Sequence, residues 1–116
     1  MARVFLDTNI YIDAAKRDKK VLEPLRNELL FISTLSIHII FYTLKLKVPD
    51  RDIDAVQQQF GVVSFSENIL EKALIGPTLD LEDNIQLHSA AEAECDYFLT
   101  SDKKLLTMKF LGKRES

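Results

Sequence analysis

The chain has 116 residues, which fits one domain spanning 1–116 and leaves little room for two. A hydrophobic share of 47% supplies a core and excludes global disorder, and a formal net charge of −3 argues against a protein held on nucleic acid by an overall positive field. One cysteine, Cys95, excludes an intrachain disulfide and a cysteine-based metal knuckle, and suits a reducing cytoplasm.

The opening residues, MARVFLDTN, lack the layout of a signal peptide. Arg3 to Leu6 is a short apolar run that predicts a buried strand. Thr8 to Ala15 reads as helix, broken around the charged KRDKK. Leu22 to Leu30 is amphipathic, with Pro24 in the first turn of an expected helix, and Leu30 to Ser33 predicts a second strand. Thr34 to Leu46 is too long for a typical strand and reads as a buried helix closed by Pro49. It belongs to the longest apolar stretch, which Lys45 and Lys47 interrupt before it reaches membrane-spanning length. Arg51 to Phe60 is expected to be helix, Gly61 to Phe65 strand, and Ser66 to Leu74 helix behind a capping serine. Gly76 and Pro77 punctuate the chain. Leu81 to Glu94 reads as an alanine-rich helix, Asp96 to Thr100 as strand, and Asp102 to Met108 as the start of another helix. Strands alternating with helices imply parallel pairing and an α/β three-layer sandwich. No glycine-rich loop is present, which argues against a P-loop or a Rossmann site.

Ligands of open parallel sheets bind beyond the carboxyl ends of the strands. Asp7 follows the first strand, Asp102 follows the last, and Asp80, Glu82 and Asp83 open the helix before it. Converging carboxylates repel and favour a cation, and all-oxygen donors suit magnesium or manganese rather than zinc. Each acid equally suits a helix N-terminus: Asp80 with Asp83 has capping-box spacing, and Ser101 or Asp102 would serve as a cap.

VFLDTNIYID, LDLEDNIQLHSAAEAECDYFLTSD and its closing DYFLTSDKKLL together resemble the PIN-domain family, which includes the toxin nucleases of bacterial toxin–antitoxin pairs. The similarity keeps order and spacing over nearly the whole chain. It implies a parallel α/β/α sandwich and a divalent-metal-dependent endoribonuclease. It assigns the Mg2+- or Mn2+-binding, catalytic acids to Asp7, Asp83 and Asp102, with Asn9, Thr100 and Ser101 as supporting polar groups. A toxin would act on RNA, pair with a small antitoxin and commonly form a homodimer. Asp80 or Glu82 would replace Asp83 if the helix starts differently.

Two features depart from the family pattern. The family usually carries an acid, commonly Glu, on the helix after the second strand, and Ile39 occupies that position in ISTLSIHII. Little chain follows the last strand, with Met108 to Leu111 the one candidate for a closing edge strand. His38 adjoins the Ile39 position and would substitute for the acid as a base or phosphate contact, or else pack in the core against Tyr42. The departures support a second reading, a catalytically weakened PIN-like domain that binds RNA or protein. His88 reads as structural or surface, Cys95 as buried and inert, and Asp13 as a surface or supporting acid. Asp50, Asp52 and Asp54 read as a solvated helix start. Lys16, Arg17, Lys19 and Lys20, with Lys103, Lys104, Lys109, Lys113 and Arg114, would form a basic rim for a phosphate backbone or remain ordinary solvated charges.

Overall fold

The structure, a computed structural model, describes residues 1–101. Four parallel strands form one sheet in the order β3-β2-β1-β4: β1 Arg3–Leu6, β2 Leu29–Ser33, β3 Gly61–Val63 and β4 Tyr97–Leu99. The expected segments 102–108 and 108–111 lie outside the described residues.

Strand alternation decides which helices cover which face. Val4, Leu6 and Ile32 point to one side. There they meet α1 (Thr8–Ile12), the π-helical turn Asp13–Arg17, α2 (Thr34–Leu44) and α3 (Arg51–Gln59) through Tyr11, Ile12, Ala15, Ile40 and Ile53. Phe5, Phe31 and Phe98 point to the other side, onto Ala90 of α5 (Leu81–Glu92) and Cys95, which is buried as expected. Phe5 stacks on Phe98 with ring centroids 5.7 Å apart. α4 (Glu67–Ala73) packs on α5 through Ile69, Ala73 and Ile85. The result is the three-layer α/β/α sandwich.

Several element ends follow from side-chain caps. Ser66 accepts from the Ile69 N–H at 3.2 Å, and Asp80 accepts from the Asp83 N–H at 2.9 Å. α2 stops at Leu44 because Lys45 turns left-handed (φ 54°) and Leu46 N–H returns to the Phe41 carbonyl, so the stop precedes Pro49.

The expected helix over Leu22–Leu30 is instead a 3-10 helix, Lys19–Leu25, with Pro24 near its end. Two i→i+3 turns follow, Arg26 N–H to Glu23 O and Glu28 N–H to Leu25 O. The chain must straighten by Leu29, which pairs with Arg3, and that long-range register overrides local amphipathicity.

Candidate active site

The strand order reverses at β1: the chain steps outward through β2 and β3, then returns to place β4 on the other side. In open parallel sheets the crevice for a ligand opens at such a switch point. Asp7 directly follows β1 and Thr100 directly follows β4, and both are buried. The Thr100 hydroxyl donates to Asp7 Oδ2 at 2.7 Å, the Thr8 N–H donates to Oδ1 at 2.9 Å, and the Asp7 N–H donates to the Leu99 carbonyl at 3.0 Å. Asp7 therefore caps α1 and belongs to the switch point at once. These donors hold the carboxylate in one orientation.

A polar strip runs from this turn across the edge of the sheet. Thr8 Oγ1 lies 3.0 Å from Ser36 Oγ on α2, and Ser36 Oγ donates to Gln86 Oε1 on α5 at 3.4 Å. All three residues are buried. Sequence reasoning missed Ser36 and Gln86. Their signal is a small or amide polar side chain on the inward face of a helix.

Glu82, exposed in the first turn of α5, comes within electrostatic range of the same place. Partial desolvation, followed by the charges of Asp7 and Asp80, holds its carboxyl above the usual glutamate range, against an opposing hydrogen bond with the Thr8 side chain. Asp83, one residue on, is half-buried in the first turn of α5. Asn9 and Ser101 are exposed beside Asp7 and Thr100 in the chain. Asp102 lies outside the described residues, so the expected trio of Asp7, Asp83 and Asp102 is only partly in view. Among the described residues, no three His, Cys, Asp or Glu side chains are grouped closely enough to hold a metal ion.

The start of α5 is fastened from behind. Buried Asn84 donates to the carbonyls of Ala73 and Thr78, at 2.8 and 3.0 Å, and accepts from the Thr78 N–H and hydroxyl. This clamp fixes the loop that carries Asp80. His88 meets the Gly76 carbonyl at 2.9 Å through Nε2, a structural contact on the same loop.

His38 differs from expectation. It is exposed, so it does not pack in the core. The buried face of α2 carries Ser36 and Ile40, and a residue two positions from Ser36 lies about 200° around the helix. Tyr42 is 80% exposed, and no hydrogen bond joins it to His38 among the described residues. Ile39 is half-buried, on the side of α2 nearer Ser36.

The first group of basic residues is partly occupied. Lys16 pairs with Asp50 at 2.9 Å and Asp52 at 3.0 Å, and Arg17 pairs with Asp13 at 3.2 Å. Asp50 is thus an ion-paired cap of α3 rather than a solvated acid. Lys103 and the later basic residues lie outside the described residues.

No protein-family model and no curated protein matches the sequence. Solved structures do match in shape. A toxin–antitoxin complex from Klebsiella pneumoniae aligns with a TM-score of 0.73 at 19% identity, over 97% of this chain and 96% of that one. VapBC2 from Rickettsia felis, solved on a DNA fragment from its promoter, aligns at 0.69 and 14% identity, over 97% of both chains. VapC20 from Mycobacterium tuberculosis, a sarcin-ricin loop cleaving toxin, aligns at 0.70 and 13% identity, over 97% of this chain and 99% of that one. With its sheet order, its buried acid at the switch point and these full-length likenesses, the chain has the PIN-domain fold.

Proposed function

We propose that this chain is a metal-dependent endoribonuclease of the PIN type, acting as the toxin of a toxin–antitoxin pair. The observation that carries the reading is Asp7. It is a buried carboxylate at the switch point, oriented by Thr8 and Thr100, in a fold shared with proteins of toxin–antitoxin complexes.

The donor set fits a hard divalent cation. Among the described residues the ionisable groups at this turn are carboxylates, and the Asp7 charge adds to desolvation in raising the Glu82 carboxyl, a repulsion that a cation would relieve. Asp7, Asp83 and Asp102 would hold Mg2+ or Mn2+. When bound, the ion would activate water and offset charge developing on the phosphodiester. Thr100 and Thr8 keep Asp7 in one orientation, and burial of Thr8, Ser36 and Gln86 keeps bulk water behind it. A small antitoxin and a second copy of the chain are the proposed protein partners, in the cytoplasm. No helix among the described residues is long and apolar enough to cross a membrane.

The reading predicts cleavage of single-stranded RNA that requires Mg2+ or Mn2+ and disappears in Asp7→Asn. Cleavage absent with both metals, or equal in the variant, would leave the weakened RNA- or protein-binding domain. Ile39 in place of an acid on α2 is the observation that favours that alternative.

A further inference from the structure

We propose that Glu82 supplies the second site acid of this chain, standing in from α5 for the carboxylate that α2 lacks at Ile39. The proposal rests on the metal-nuclease reading above and gives Glu82 a ligand role that reading does not assign.

Helix geometry carries it. Gln86 faces the Asp7 turn, because its amide meets Ser36, and Ser36 meets Thr8. Glu82 lies four residues before Gln86, on the same face of α5 and about 6 Å nearer the helix start. Helical side chains lean toward the N-terminus, so Glu82 leans out beyond the strand ends, where Asp7 sits. The Asp7 charge, which adds to desolvation in raising the Glu82 carboxyl, agrees with that placement.

The hydrogen-bond strip gives an independent observation. Gln86 is fully buried, and its Nε2 meets no acceptor among the described residues. An amide turned over would put Nε2 against Ser36 Oγ. Ser36 would then donate to Thr8, and Thr8 to a Glu82 carboxylate. Every proton points toward Glu82 in that arrangement, and the buried donor is satisfied. With the amide as it stands, the Ser36 proton goes to Gln86, Thr8 donates to Ser36, and no proton remains for Glu82. A charged Glu82 thus selects one direction for the whole strip. α2 contributes only the neutral Ser36 here, so the strip is also the route by which α2 holds an acid it does not carry.

The test measures Mn2+ binding by calorimetry and RNA cleavage on the full chain, with thermal melts to confirm folding. Glu82→Gln is expected to weaken Mn2+ binding about tenfold or more, with cleavage falling in parallel. Glu82→Asp should recover part of both. Ile39→Glu placed on Glu82→Gln should restore Mn2+ affinity by returning the acid to α2. If Glu82→Gln binds Mn2+ and cleaves as the parent does while Asp7→Asn does neither, the Glu82 assignment is overturned and the nuclease reading stands. If the parent chain itself binds no Mn2+ and cleaves nothing, both are overturned.

Discussion

The donors that hold Asp7 include a backbone N–H from the next residue and a hydroxyl from 93 residues away. Thr100→Val keeps the shape and removes the hydroxyl. It is expected to cost about 1.5–3 kcal/mol in urea unfolding, because a buried carboxylate loses a charge-assisted bond. Cleavage should fall with it. Tyr11 presents the opposite case: a fully buried phenol whose hydroxyl has no partner among the described residues. Burial, reinforced by Asp50, pushes its pKa from the ordinary 10.0 up to about 12. Above pH 10 the unfolded chain releases this proton and the folded chain does not, so stability falls as the pH rises from 10 through 12. Tyr11→Phe keeps the edge contact with Phe60. It should flatten the alkaline loss and leave neutral-pH stability equal or up to about 1 kcal/mol higher, as read by melts across pH.

At the scale of elements, β3 joins the sheet only because position 61 lacks a side chain. A Cβ on Gly61 would lie 2.5 Å from two atoms of the Phe31 ring, and Arg3 stacks over that ring at 4.4 Å from its centroid. Gly61→Ala should therefore destabilise by about 1–3 kcal/mol in denaturant titration. Elements with strong local signals were legible in the sequence. RVFL is a buried strand, Asp80 and Ser66 are caps, and the alanine-rich segment is a helix because local chemistry alone demands these states. The segment 22–30 was misread because its register with Arg3 is a long-range demand that periodicity does not contain. The core-packing reading of His38 failed because α2 is apolar nearly all round. Its composition hides which face is buried, and only packing against α1 reveals Ser36 as the inward residue. The Asp7 turn was legible from its position after a strand. The Ser36–Gln86 strip was not, since it joins residues 50 apart.

The whole molecule is tied by its third residue. Arg3 donates through Nε and Nη2 to the Ala93 carbonyl at 3.0 and 2.7 Å. Its N–H donates to Asp96 Oδ2 at 2.9 Å, and its carbonyl accepts from the Asp96 N–H at 2.7 Å. One residue thus fastens the first strand to the end of α5 and the entry of β4. Lysine offers neither the two-pronged donor nor the flat stack on Phe31. Arg3→Lys should lower global stability by about 1–3 kcal/mol, shifting the urea midpoint for every probe together. The Asp7–Thr100 bond has a consequence for the order of synthesis. β1 and its acid leave the ribosome before β4 and the hydroxyl partner that directly follows it. A growing chain can assemble β1, β2 and β3 with their helices and still hold Asp7 half-dressed. The site is completed late, when β4 slides in beside β1, so a partly synthesised chain carries the scaffold of the fold without its finished candidate site.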